Sequence, residues 1–394
     1  MVQYMYILKY GDDYVKTKKL LMIPGPTPVS RSIQDQMGRE TIAFSDVNFV
    51  NDFNYCLREL KGIVKSDSEV FVISGSGTLA MEMSLANVLK KGDNLLVVSH
   101  GYFGDRFIDI AKNKGINVDV LSAEWGKSVP IDLIRETLKK KAYNAIIVTH
   151  VDTSTGVKAD IKSIGEMLRE FPEIIYIVDG VCATAGEEEY MNDMNIDILF
   201  TASQKAFGVA PGLLILWANE KAMKARERLG AISEYFVDFN NWLPIMHEPS
   251  KYFATPSVNL IWALKESIRL INEEGIENRI YRHELFGKAY QKSLEELGFK
   301  ILADERYRAN TLSNVLYPDG IEDELFRNTL AIEGVQVAAG LGAFKGKMFR
   351  IGHMGNIDKH DLISSIASIE RTLYKFNIDK LSKGVNVIQK ELVK

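Results

Sequence analysis

Residues 174–205 contain the runs that decide the fold. They are Ile174-Ile175-Tyr176-Ile177-Val178-Asp179-Gly180 and, farther on, Ile198-Leu199-Phe200-Thr201 leading into Ser203-Gln204-Lys205. Both runs are continuously apolar rather than alternating, the pattern of strands covered on both faces. The same texture extends outward. Val70–Ile73, Asn94–Val98, Val118–Leu121 and Ala145–Thr149 read as strands. Between them lie helical patterns over Thr78–Lys90, Phe103–Asn113, Ile131–Lys140 and Ile161–Glu170. Leu213–Leu216 reads as a further strand, with a charged helix over Glu220–Leu229. Most connections are long enough to hold a crossover helix, which parallel pairing requires. The order predicts an α/β domain with a mostly parallel sheet between helices.

Beyond Pro256 the texture changes. Two amphipathic helical patterns are followed by strands at Lys300–Leu302 and Thr311–Val315 and a helix over Glu322–Glu333. Strands at Val335–Ala338 and Met348–Ile351 and a helix over Ile363–Tyr374 complete it. This predicts a smaller C-terminal α+β domain. The expected division is a large domain over 20–268 and a small one over 269–394, with residues 1–19 as an N-terminal arm.

The chain has 394 residues, 46% hydrophobic and 25% charged, enough for a large core without staples. A net charge of -4 gives no electrostatic footprint for nucleic acid or an anionic membrane. Cys56 and Cys182 are the only cysteines and form neither a CxxC pair nor a zinc-ligand spacing, so no metal is expected. Scarce cysteine, no apolar leader and no run of membrane-spanning length predict a cytoplasmic protein.

Three segments carry chemistry. Ser74-Gly75-Ser76-Gly77-Thr78 lies between a strand and a helix, where backbone N–H groups, hydroxyls and the helix N-terminus favour a phosphate. It reads equally as an ordinary turn capped by Ser76 or Thr78. It is not a GxGxxG fingerprint or a P-loop, which weighs against dinucleotides and nucleoside triphosphates. Asp179 ends a buried strand, where ligands gather in α/β sheets, and a protonated pyridine nitrogen would partner it. A turn cap before Gly180 is the alternative. Lys205 follows another strand in an apolar setting that frees an amine to attack an aldehyde. Surface lysines are common, and it is the conjunction of the three that points to one site.

With Met22-Ile23-Pro24-Gly25-Pro26-Thr27, His150 followed by Thr153-Ser154-Thr155-Gly156-Val157, and Arg350-Ile351-Gly352-His353-Met354-Gly355, the chain resembles the class V aminotransferases. The similarity is to their alanine–glyoxylate and serine–pyruvate branch and runs nearly end to end. It implies the fold type I of pyridoxal-phosphate-dependent transferases, a homodimer with shared sites, and pyridoxal 5'-phosphate as cofactor. It implies Lys205 as the cofactor's covalent anchor and proton carrier, and Asp179 as partner of the ring nitrogen. Ser76, Gly77, Thr78 and Gln204 would bind the phosphate, Ser154 would contact the ring hydroxyl region, and Val181 would pack on one ring face. Phe103 falls where the family places an aromatic on the other face, often a larger or more polar one; Tyr102 is the alternative. Tyr252 and Thr255 match a motif that reaches the partner's phosphate, although Thr255-Pro256 also reads as a helix start. Arg350 and Gly25 would bind substrate, Arg350 through its α-carboxylate. His100, His150 and His353 read as structural.

The resemblance departs at Thr41-Ile42-Ala43-Phe44-Ser45-Asp46, where many relatives carry a histidine–arginine pair. The function it implies is transamination between a small L-amino acid, alanine or serine, and glyoxylate or pyruvate. Aspartate transamination, a lyase on the same fold and a non-catalytic relative are the alternatives. A cysteine desulfurase is disfavoured, since no cysteine follows Cys182.

Overall fold

The computed structural model describes residues 19–394, so the expected arm lies, but for Lys19, outside the described residues. Seven strands form the central sheet: β1 (Glu69–Ser74), β2 (Asn94–Ser99), β3 (Asn117–Ser122), β4 (Ala145–Thr149), β5 (Ile175–Asp179), β6 (Ile198–Ala202) and β7 (Leu213–Ala218). They pair in the order β1-β7-β6-β5-β4-β2-β3. Every pair from β6 to β3 is parallel. β7 runs antiparallel to both neighbours. The segment between Ala202 and Leu213 is too short for a crossover helix, so β7 must return antiparallel to β6.

Strands β4 to β7 are buried throughout, as their apolar composition requires. β3 differs from the expectation of strands covered on both faces. It is the sheet's edge, and its alternation of Asn117, Asp119 and Ser122 with apolar residues leaves it partly exposed. Parallel register sets Thr149 beside Asp179 and Asp179 beside Phe200, so the carboxyl ends of three strands open on one side. Helices α1 (Gly77–Ala86) and α2 (Tyr102–Asn113) start at that side, after β1 and β2.

Helix α3 (Val258–Glu274) keeps its buried residues, to Ile271, in the core around the large sheet. A separate core begins on α4 (Ile276–Glu296) at Phe286 and surrounds a four-stranded antiparallel sheet. Its strands are β8 (Lys300–Ile301), β9 (Leu312–Leu316), β10 (Ala338–Ala339) and β11 (Met348–Gly352), in the order β8-β9-β11-β10. The single strand expected at Val335–Ala338 is divided. Val335–Gln336 pairs in parallel with Leu20–Leu21, while β10 pairs with β11. A partner more than 300 residues away in sequence leaves no local signal. Met22 accordingly belongs to the second core.

The charged tail forms helix α5 (Lys383–Glu391), which buries Ile388 against α4. The buried Glu370 carboxylate accepts from the N–H groups of Ser382 and Val385, both at 2.9 Å, and so fixes its start. Among the described residues no helix is long and apolar enough to cross a membrane.

Candidate functional site

A cavity opens at the carboxyl ends of the strands, with Ser76, Gly77, Thr78, Phe103, Asp179, Val181, Gln204 and Lys205 in its wall. Eight of the residues singled out in the sequence therefore meet in one place. At α1, Ser76 is the N-cap, its Oγ accepting from the Leu79 N–H at 3.4 Å. Among the described residues the N–H groups of Gly77 and Thr78 have no acceptor. A Cβ at Gly77 would lie 3.1 Å from Cγ2 of Val181, so glycine lets this turn close on the valine. The free end of α1 faces the cavity with its positive field.

The start of α2 is occupied. Fully buried Asp152 accepts from the N–H groups of Phe103 and Gly104 at 3.0 and 3.1 Å. Ser154 Oγ accepts from the Tyr102 N–H at 2.9 Å and donates to Asp152 at 2.6 Å. Burial raises the Asp152 pKa above the ordinary carboxylate range, opposed by these hydrogen bonds. The clamp aims Phe103 into the cavity and leaves Tyr102 45% exposed, so of the two candidate aromatics Phe103 is the one in the cavity wall. It also engages the Ser154 hydroxyl. Ser154 is absent from the cavity wall, where its neighbour Thr153 stands instead.

Asp179 is buried at the end of β5, and one carboxylate oxygen accepts from the Val181 N–H at 2.9 Å. Burial pushes its pKa up to about 7; the Val181 bond and Lys205 oppose the rise, and Asp152 and Glu189 add to it. Among the described residues, Thr149 Oγ1 beside it is buried without a hydrogen-bond partner, and so is Gln204 Oε1. Such atoms await a ligand's polar groups.

Lys205 extends from the loop after β6, and its Nζ donates to the Pro24 carbonyl. A Cβ at Gly25 would sit 2.6 Å from that Nζ. Thr27 Oγ1 donates to the Lys205 carbonyl at 2.8 Å. The lysine loop is also tied to α4, where buried Arg279 donates to the Ala206 carbonyl at 2.6 Å.

Arg350 lies on β11 outside the cavity wall. It donates to the Ala339 carbonyl at 2.7 Å and to Thr153 Oγ1 at 2.9 Å, so Thr153 links it to the cavity. Burial lowers the pKa of its guanidinium. Tyr252, 66% exposed, and Thr255 are not brought into the cavity of their own chain. The helix start read at Thr255-Pro256 is also displaced: α3 begins at Val258 with Ser257 as N-cap, whose hydroxyl bonds Ser74 at 2.7 Å.

The histidines are hydrogen-bonded residues away from the cavity wall. His150 Nδ1 lies 2.7 Å from Glu189, and His353 Nε2 lies 3.0 Å from Ser313 Oγ. Burial holds His100 and His353 down at about 4. Site residues that went unread in the sequence include Arg106 and Asp152. Arg106 lines the cavity and donates to Thr78 Oγ1 at 2.9 Å. Its spacing of three from Phe103 on a helix was a usable signal. Asp152 gave none, because the α2 N–H groups it accepts from lie nearly fifty residues away.

These residues fit pyridoxal 5'-phosphate. A helix N-terminus with hydroxyls suits the phosphate, a buried carboxylate suits a protonated ring nitrogen, and Phe103 and Val181 offer apolar surface for a flat ring. Lys205 supplies the amine.

Comparison with known proteins agrees. The family model described as Aminotransferase class-V matches residues 49–356. Alanine–glyoxylate aminotransferase 1 of Saccharomyces cerevisiae is 36% identical over 361 residues, 86% of this chain and 93% of the yeast protein. An uncharacterized aminotransferase of Methanocaldococcus jannaschii is also 36% identical, over 96% of this chain and 98% of its own. The crystal structure of ureidoglycine–glyoxylate aminotransferase from Bacillus subtilis superposes with a TM-score of 0.90 at 26% identity, covering 97% of this chain and all of that one.

Proposed function

This chain belongs to the class-V aminotransferases, with the type I fold of the pyridoxal-phosphate-dependent transferases, and from that premise we propose its reaction. It moves the amino group of a small L-amino acid, alanine or serine, to glyoxylate or pyruvate in a ping-pong cycle on pyridoxal 5'-phosphate. One observation carries the reading: Lys205 and the buried carboxylate of Asp179 face the same cavity as the open N-terminus of α1. The name of the yeast relative supports the substrate class.

When bound, the cofactor supplies an electron sink that makes the substrate Cα proton acidic. Asp179 holds the ring nitrogen's proton through charge, and the hydrogen bond from Val181 fixes the carboxylate's direction. Ser76, Gly77, Thr78 and Gln204 would bind the phosphate, while Phe103 and Val181 would offer apolar surface to the ring and exclude water. Lys205 would hold the cofactor covalently and, once the substrate amine has displaced it, its freed Nζ would carry the substrate's Cα proton. Arg350 binds the α-carboxylate with donors not already used by Ala339 and Thr153, and Gly25 keeps room beside the lysine. Cys182 also lines the cavity, but burial pushes its thiol up to about 11, so it stays protonated and takes no nucleophilic part. Two chains share their sites in a cytoplasmic homodimer, with Tyr252 and Thr255 of each reaching the other's phosphate end. Their exposure in the single chain supports this.

The test is the absorbance spectrum of the purified protein before and after L-alanine or L-serine. A visible cofactor band that disappears with either amino acid and returns with glyoxylate or pyruvate is expected. No band after adding pyridoxal phosphate overturns the cofactor; a band indifferent to both amino acids overturns the substrate.

A further inference from the structure

The phosphate end of the cavity has neutral hydroxyl, backbone and amide donors in Ser76, Gly77, Thr78 and Gln204. A dianion placed there also needs charge. Lys205 is committed to the other end by its contact with Pro24. The remaining cation in the wall is Arg106, on the first turns of α2. Its Nη1 donates to Thr78 Oγ1 at 2.9 Å, and its guanidinium carbon lies 4.8 Å from the centroid of the Phe103 ring. Among the described residues no carboxylate pairs with it.

That arrangement has two consequences. Thr78 Oγ1 already accepts from Arg106, so its single O–H proton remains to be donated to a ligand. A half-buried guanidinium without an anionic partner also leaves charge unbalanced beside the open end of α1. An incoming phosphate meets both needs.

We propose that Arg106 is the charge partner of the cofactor's phosphate and makes this pocket select phosphorylated pyridoxal over pyridoxal. The proposal rests on the reading of the cavity as a pyridoxal-phosphate site. Arg106 binds the anion through its free N–H groups, orients the Thr78 hydroxyl toward it, and packs against Phe103. A purely structural Arg106 would do only the last of these, and its loss would then weaken both forms of the cofactor alike.

The test is binding by the full-length chain stripped of cofactor, titrated with pyridoxal 5'-phosphate and separately with pyridoxal, by equilibrium dialysis. Arg106→Gln is expected to weaken pyridoxal phosphate about 10- to 100-fold, the loss of a charge-assisted contact, and pyridoxal by less than about twofold. Arg106→Lys keeps the charge and should retain most of the selectivity; Arg106→Met keeps the apolar stem and should lose it. The Lys and Met pair carries the comparison if the Gln variant does not fold, as judged by near-ultraviolet circular dichroism. Equal weakening of both ligands, or of neither, overturns the role of Arg106 alone. A wild-type chain that binds neither ligand overturns the cofactor reading itself, and this proposal with it.

Discussion

Lys205 lies directly over Gly25. A methyl group at residue 25 would stand 2.5–2.7 Å from Cδ, Cε and Nζ of the lysine, closer than atoms pack, and the glycine has φ +108°. The segment 22–27 is thus a floor on which the reactive amine rests, with the Pro24 carbonyl accepting from it. Gly25→Ala is expected to cost about 1–3 kcal/mol of stability through backbone strain. Displacing the lysine should lower kcat about 100-fold. Urea unfolding and steady-state kinetics separate the two effects.

Lys205→Ala should reduce turnover by at least about 10²–10⁴-fold, the range of a lost general acid–base group. Without its anchor the cofactor should be removable by dialysis, which the wild-type protein should resist. Turnover within tenfold of wild type would remove the lysine from the mechanism.

The raised pKa of Asp179 makes stability of the cofactor-free chain depend on pH. A carboxyl whose folded value is about 7, against an ordinary 3.8, contributes fully below 3.8 and is lost as pH rises through about 7. The difference corresponds to roughly 4 kcal/mol at most. Urea midpoints of the stripped protein should fall between about pH 4 and 8, and Asp179→Asn should flatten that fall. Loading the cofactor, which sets a cation beside the carboxylate, should flatten it as well. An unchanged slope in the Asn variant would show that Asp179 is not the group responsible.

Arg350→Ala should impair binding of α-carboxylate substrates by roughly 2–5 kcal/mol while leaving cofactor affinity unchanged. Thr153→Val removes the hydroxyl that receives Nη1 of Arg350 at 2.9 Å and should raise KM about tenfold. Separate KM and cofactor titrations decide; an unaltered KM in Arg350→Ala would exclude it from the substrate site.

Sedimentation should give a dimer. Tyr252→Ala should weaken cofactor retention even though Tyr252 stands outside its own chain's cavity wall. A monomer that retains the cofactor as tightly as the wild-type protein would overturn the shared site.

The sequence by itself determined the large sheet and most of the cavity. Runs such as Ile146-Ile147-Val148 and Leu213–Ala218 have the composition of covered strands, and a covered strand ends where polar residues begin. Asp179, Lys205 and Ser76 stand at those ends, so local pattern and strand-end geometry bring them to one side. Tertiary structure alone decided which neighbouring side chain faces the cavity and what fixes it there. Asp152 turns Phe103 inward; Pro24 receives the lysine; Leu20–Leu21 crosses to Val335–Gln336; and Arg350 reaches the site through Thr153. Each of these contacts joins residues about fifty to more than three hundred positions apart. Periodicity records only which face of one element is covered, whereas such contacts depend on how separate elements pack.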